Sequence, residues 1–379
     1  MRIGGDWLER DATQRLCAAL EVAGYRALFV GGCVRNALLS EPVGDVDIAT
    51  DATPETVSAI AEKAGFKVVP TGIDHGTVTV IADGTPHEVT TFRRDVETDG
   101  RRAVVAYSDR IEEDAARRDL TMNALYADRH GTVIDPLGGL PDLRARRVRF
   151  VGDAEARIRE DYLRILRFFR FHAWYGDPEG GLDPDGLAAC AANSAGIETL
   201  SRERIGAEVK KLLSARDPAP AVAAMAQAGV LAAVLPGADA RFLPVLVHLE
   251  AATPPRPLRR LAALGGEGVA DRLRLSRAEA RDLERLRDAA GGMLSPAAMG
   301  WKLGAELGAD AVLLRAALME TPPPQGWQAD VARGAATPFP VTAVDLPDLQ
   351  GPALGARLKA LQTRWLAADC RPSRDELLD

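Results

Sequence analysis

The residues best suited to chemistry are two aspartates one residue apart, Asp45-Val46-Asp47. In an extended chain the period of two places both carboxylates on one face and Val46 and Ile48 on the other. Carboxylates held side by side repel unless cations or solvent intervene. Two hard cations about 3.5–4 Å apart, bound by oxygens, would remove that repulsion and clamp an in-line phosphoryl displacement. A solvated surface turn is the alternative, and apolar Val46, Ile48 and Ala49 argue against it. Glu88, on a following β-rich run, is the natural third carboxylate, although any alternating strand exposes some polar residue. Upstream, Gly31-Gly32 joins a strand to a helix, so backbone amides can approach an anion at the positive helix end. A plain tight turn needs the same glycines. Finally, Asp161 and Arg164 are spaced i, i+3, which on one helix projects an acceptor beside a guanidinium fork. That pair suits the amino and ring edges of cytosine and adenine, whereas uracil would set a carbonyl against the aspartate. An ordinary ion pair within a helix has the same spacing and is the simpler reading of the pattern alone.

The elements that must hold these residues change character along the chain. Ala27–Val30 reads as a buried strand, Val34–Leu39 as a helix start and Val46–Ala49 as a second strand. Pro54–Ala64 has helical spacing, and Phe66–Val69 follows as a strand. Thr77–Ala82 and His87–Phe92, joined through Asp83-Gly84, form a hairpin signal. From Arg144 onward strand signals fade: Ile158, Tyr162, Ile165, Phe169 and Ala173 recur every three to four residues, and Ser201 is an N-cap ahead of Ile205, Val209 and Leu212. Pro and Gly clusters at 176–184, 218–220, 254–257 and 321–340 mark joints. The expected fold is α+β, a mixed sheet with helices followed by an all-α remainder.

Length and composition narrow the classes. The chain has 379 residues with 47 basic and 54 acidic groups, a net charge of −7. That length exceeds one ordinary core, so several modules are expected. Four dispersed cysteines give neither a zinc pattern nor a disulfide framework, which fits a reducing cytoplasm. The Pro218–Ala238 stretch, uncharged but rich in alanine and broken by proline, is a poor membrane span, and the N-terminus lacks a signal-peptide core. Net acidity argues against a protein that binds nucleic acid over its whole surface. Locally the balance reverses: 141–170 holds nine Arg against five acids.

Ordered motifs then resemble one family. Gly31-Gly32-Cys33-Val34-Arg35 with Asp45-Val46-Asp47 and the later Glu88 is similar to the core of the nucleotidyltransferase superfamily that includes DNA polymerase β. More specifically, these segments resemble the head of the class II CCA-adding enzyme and poly(A) polymerase family. Arg117-Arg118-Asp119-Leu120-Thr121-Met122-Asn123-Ala124, Asp135-Pro136 with Gly138-Gly139 and Asp142-Leu143, Glu160-Asp161-Tyr162-Leu163-Arg164, and Ser201-Arg202-Glu203-Arg204-Ile205 follow in the family's order.

The resemblance implies a nucleotidyltransferase head (1–140), a base-reading neck (141–215), a helical body (216–300) and a helical, tRNA-binding tail (301–379). It implies CCA addition to tRNA from CTP and ATP, with Asp45 and Asp47 holding Mg²⁺ and Glu88 assisting the attacking hydroxyl. Gly31, Gly32, Arg35, Arg118, Asp119 and Asn123 would hold sugar and phosphates, and Asp161, Arg164, Arg167 and Arg170 the base. Asp95–Tyr107 resembles a mobile loop of the family. Asn36 departs from the Asp usual after Val-Arg. Poly(A) synthesis, partial CC or A addition, transfer to a small molecule, and RNA binding on an inherited fold are the competing readings. Tyr162, where poly(A) polymerases usually carry Pro, and the acidic residues Asp375, Glu376 and Asp379 favour the CCA type. None of the five histidines is followed by Asp, so an HD phosphohydrolase site is not expected, and no membrane or stable protein partner is called for.

Overall fold

The strands form where β-branched runs alternate with polar positions, and the helices where apolar residues recur at 3.6. The computed structural model describes residues 1–379 except 71, 74, 75, 100, 101 and 252. Its contacts divide the chain into two compact units, Met1–Leu200 and Ser201–Asp379, a coarser division than the four segments expected from the motifs.

In the first unit, α1 (Asp6–Glu9) and α2 (Asp11–Val22) precede β1 (Leu28–Val30), α3 (Gly32–Leu39), β2 (Asp47–Thr50) and α4 (Pro54–Lys63). There follow β3 (Lys67–Val69), β4 (Thr77–Ala82), β5 (Thr85–Thr91), β6 (Arg93–Asp99), β7 (Arg102–Tyr107) and α5 (Ile111–Ala116). The short strands β8 (Tyr126–Ala127) and β9 (Val133–Ile134) lead to α6 (Leu140–Arg144), α7 (Ala154–Glu160), α8 (Leu163–Tyr175) and α9 (Pro184–Ala192). Seven strands make one mixed sheet in the order β3-β4-β5-β2-β1-β8-β9. Its key pairing is β2 with β5, which is parallel, while β4 and β5 form the expected antiparallel hairpin. Leu28, Val30, Ala49, Phe92, Ile111 and Tyr126 share one buried cluster beneath it.

One segment differs from expectation. Of Asp95–Tyr107, expected as a loop, residues 95–99 and 102–107 lie in the antiparallel pair β6–β7, with Arg93 opposite Tyr107 and a register shift between Asp95 and Glu97. Residues 100 and 101, within that segment, lie outside the described residues.

The second unit is helical, as the fading strand signal predicted. It opens with α10 (Arg202–Leu213), where Ser201 accepts a hydrogen bond from the Arg204 amide as an N-cap. Two arginines lie fully buried here: Arg259 and Arg260 are shared by buried Glu250, Arg259 also pairs with Asp310, and Arg260 donates to the carbonyls of Leu213, Ala215 and Arg216 at the end of α10. The four cysteines are free and buried. Among the described residues no helix is long and apolar enough to cross a membrane.

Candidate active site

The parallel pairing of β2 with β5 sets Asp47 directly opposite Glu88 in register. Asp45 precedes β2 rather than lying on it, but the alternation runs through: Asp45 is exposed, Val46 buried, Asp47 half-buried and Ile48 buried. Burial, then the charges of Glu88 and Asp45, push the Asp47 carboxyl up from its ordinary 3.8 to about 6, against the opposing pull of Arg118. A carboxylate withdrawn from water beside others of like charge shifts in this direction. Among the described residues no group of three or more His, Cys, Asp or Glu is assembled to hold a metal by itself. Small divalent ions of the Mg²⁺ type need no such cage, because they bind through one or two carboxylates together with substrate phosphates. A hard oxygen-donor pair in excess negative charge fits such an ion.

Gly31 turns the chain from β1 into α3 at φ 70°, a left-handed value that favours glycine. A Cβ at this position would sit 3.4 Å from Nη1 of Arg118, an ordinary contact, so the backbone angle rather than crowding calls for glycine, and the Arg118 guanidinium lies against the turn. Arg118 is held from behind. Its Nη2 donates to Asp114 at 3.0 Å and its Nε to the Tyr126 hydroxyl at 3.1 Å, while Tyr126 donates to Asp114 at 2.7 Å. Burial alone would raise the Asp114 carboxyl, but Arg118 and the Tyr126 hydrogen bond hold it below its ordinary value. Asp114 and Tyr126 were not singled out from the sequence. The i, i+4 spacing of Asp114 and Arg118 was the available signal.

The Arg-Arg-Asp segment is locked to the turn downstream of it. Thr121 donates to buried Asp142 at 2.8 Å, and the Asp135 carboxylate accepts from the Gly139 and Leu140 amides at the start of α6. Gly139 packs so closely on Thr121 that a Cβ would come within 2.5 Å of its carbonyl oxygen. The Asp-Pro…Gly-Gly…Asp-Leu residues are thus structural supports.

Asp119 receives the Leu120 amide and Asn123 Nδ2 on one oxygen, at 2.8 and 3.0 Å, and Arg167 on the other at 2.6–2.7 Å. Burial works to raise its pKa, yet Arg167 and Asn123 outweigh burial and keep it below the ordinary value. Arg35 is buried, bonded to Asn123, Asn36 and the Tyr175 hydroxyl, with the Tyr175 ring 4.1 Å from its guanidinium carbon.

The expectation that Asp161 and Arg164 share one helix is corrected. α7 stops at Glu160, Asp161 is extended at φ −155° and ψ 104°, and α8 begins at Leu163. The physical reason is the aspartate itself, whose Oδ1 accepts from the Leu163 amide at 3.1 Å, a cap in place of a helical turn. Arg164 is ion-paired with Glu160 at 2.5 Å, and its donors also reach the Arg157 and Arg117 carbonyls. Arg164, Arg167 and Arg170 do form the expected row on α8, half-buried between the core residues Ile165, Leu166, Phe168 and Phe169. Arg170 lies 4.3 Å from the Phe171 ring centre. Of the neighbouring aromatics, Phe168, Phe169 and Phe171 are buried and Trp174 is 45% exposed.

Comparison with known proteins matches this geometry. The family described as Poly A polymerase head domain covers residues 27–149, and that described as Probable RNA and SrmB- binding site of polymerase A covers 181–242. The mitochondrial CCA tRNA nucleotidyltransferase 1 of Mus musculus is 34% identical over 374 residues, 92% of this chain and 85% of that protein. The chain belongs to the CCA tRNA nucleotidyltransferase family. A CCA-adding enzyme of Geobacillus thermodenitrificans is 45% identical over 216 residues, 56% of this chain, so the chain spans about half (52%) of that relative's length. The solved CCA-adding enzyme of Bacillus stearothermophilus, described as in complex with CTP, superposes with a TM-score of 0.77 at 31% identity, covering 94% of this chain and 93% of that one. The Asp47–Glu88 register and the glycine turn therefore lie in a nucleotidyltransferase head, within the segment that the head-domain family matches.

Proposed function

We propose that this chain adds C, C and A in turn to tRNA 3′ ends, taking CTP and ATP as substrates and releasing pyrophosphate. The observation that carries the reading is Asp47 set against Glu88 across parallel strands, beside a glycine turn closed by Arg118. Asp45 and Asp47 would hold two Mg²⁺ ions, which when bound neutralise charge on the triphosphate and on the attacking oxygen. The Gly31-Gly32 turn admits the phosphates, and Arg118, Asp119 and Asn123 orient sugar and phosphate, with buried Arg35 bracing them. Glu88 polarises the attacking 3′-hydroxyl. In the transfer, the 3′-oxygen bonds to the α-phosphorus, the bond to the β-phosphate oxygen breaks, and pyrophosphate leaves. The hydroxyl proton passes to Glu88 or to solvent.

Base choice falls to Asp161 and Arg164, with Arg167 and Arg170 along the same face. Because Asp161 caps α8 and Arg164 is braced by Glu160, the two groups approach a base from the end of one helix and from its first turn. Two such contacts at about 1–3 kcal/mol each would disfavour UTP by roughly two to three orders of magnitude. The four-part division (1–140, 141–215, 216–300, 301–379), tRNA contact in the last part and a cytoplasmic site belong to the same reading. The two relatives named as CCA-adding enzymes support it, as does Tyr162 following Glu160-Asp161. The test is transfer of labelled CMP and AMP to tRNA with Mg²⁺. Transfer blocked by a chelator is expected, and no transfer of either nucleotide would overturn the reading.

A further inference from the structure

Asn36, where the family usually carries Asp, faces two groups of opposite demand. The Arg35 guanidinium, which can only donate, sends Nε and Nη2 to Asn36 Oδ1 at 3.1 and 2.9 Å. The Pro42 carbonyl, which can only accept, takes Asn36 Nδ2 at 2.7 Å. A carboxylate would satisfy the first and repel the second, whereas a carboxamide satisfies both. Pro42 stands three residues ahead of Asp45, in the segment that leads α3 into the carboxylate strand.

On its other side the same guanidinium continues inward. Arg35 Nη1 donates to Asn123 Oδ1 at 2.5 Å, Asn123 Nδ2 donates to Asp119 Oδ1 at 3.0 Å, and Asp119 Oδ2 accepts from Arg167 Nε at 2.7 Å. The bonds run unbroken from the segment before Asp45 to α8, which carries Arg164, Arg167 and Arg170. Its inner members, Arg35, Asn123 and Asp119, are buried, where a hydrogen-bonded network holds its geometry more firmly than in water, while Asn36 and Arg167 are half-buried and Pro42 is exposed.

We propose that Asn36 is a positioning residue that ties the carboxylate segment to the base-reading helix, so that fit of the base and placement of Asp45 are set together. The proposal rests on the nucleotide-addition reading above. Two substitutions separate the two halves of the tie. Asn36→Asp keeps the acceptor for Arg35 and loses the donor to Pro42. Asn36→Ala loses both, and Asn36→Ser replaces it if the alanine variant does not fold.

With CTP and UTP compared on tRNA, Asn36→Asp is expected to lower kcat for CTP several-fold while keeping the CTP-over-UTP ratio of kcat/KM. Asn36→Ala should lower that ratio as well, by about tenfold, the loss of one hydrogen bond to a charged group. A helix end stabilised by an ordinary cap would slow both nucleotides equally and leave the ratio alone. Deuterium exchange on the metal-free chain gives a readout independent of activity: faster exchange at 43–46 in both variants, and at 121–124 only in Asn36→Ala. An unchanged ratio in Asn36→Ala, an equal fall in both variants, or unaltered exchange at 43–46 overturns the proposal. A wild-type chain that transfers no nucleotide refutes the addition reading instead, and the exchange pattern still decides the tie.

Discussion

Replacing Asp47 with Asn should stabilise the metal-free protein at neutral pH while destroying its chemistry. The carboxyl titrates near 6 in the folded chain against an ordinary 3.8, first because it is buried and then because Glu88 and Asp45 face it. The folded state therefore binds this proton more tightly than the unfolded state. The contribution favours folding below about pH 4 and is lost as pH rises through about 6. A shift of about two units is worth about 3 kcal/mol at most, and less to the extent that water still reaches the half-buried carboxylate. Asn has the shape of the neutral acid and carries no such penalty. For a unit of roughly 200 residues at about 2–4 °C per kcal/mol, Asp47→Asn should melt up to about 10 °C higher near pH 7.5 in chelator, with the gap closing toward pH 4.5. Thermal unfolding of both proteins across that range measures the difference and cancels the titrating groups that do not interact with Asp47. Adding millimolar Mg²⁺ should raise the wild type and not the variant. A gap that does not change with pH, or a wild type more stable than the variant in chelator at neutral pH, would refute the electrostatic account of this site.

Three further outcomes follow from the same geometry. Asp45→Ala, at an exposed position, should abolish nucleotide addition with melting changed by no more than a degree or two; retained transfer would remove Asp45 from the chemistry. Arg164→Ala should cut CTP-over-UTP selectivity by about ten- to a hundredfold, the worth of one good base contact, and Glu160→Gln should cut it less by freeing the guanidinium; unchanged selectivity in steady-state kinetics would refute the base-reading role. Gly139→Ala would force a Cβ to within 2.5 Å of the Thr121 carbonyl, so it should destabilise the first unit by about 1–3 kcal/mol, seen as an earlier denaturant midpoint.

What the sequence revealed and what it hid divide along physical lines. The carboxylate pair was legible because the alternation that sets Asp45 and Asp47 on one side and buries Val46 and Ile48 on the other is local, and the β4–β5 hairpin because its turn residues adjoin its strands. The glycine turn was legible as a position, but the Arg118 guanidinium that lies against it comes from a residue far along the chain. A long-range pair such as Asp119 with Arg167 carries no periodic signal, and the i, i+4 spacing of Asp114 and Arg118 does not announce that Tyr126 closes the clasp. The break at Asp161 was misread because the apolar period runs on past it. The competing signal was there: an aspartate just ahead of a new apolar run is a cap as often as a helical residue. In the second unit, nothing in an Arg-Arg pair announces that both side chains are buried on Glu250.

The central claim is most directly tested by sequencing the products made with CTP and ATP on tRNAs that end at the discriminator base, at C and at CC. The account predicts that all three are completed to CCA and stop there. A run of A residues, a stop after CC or before the final A, or no extension at all would contradict it.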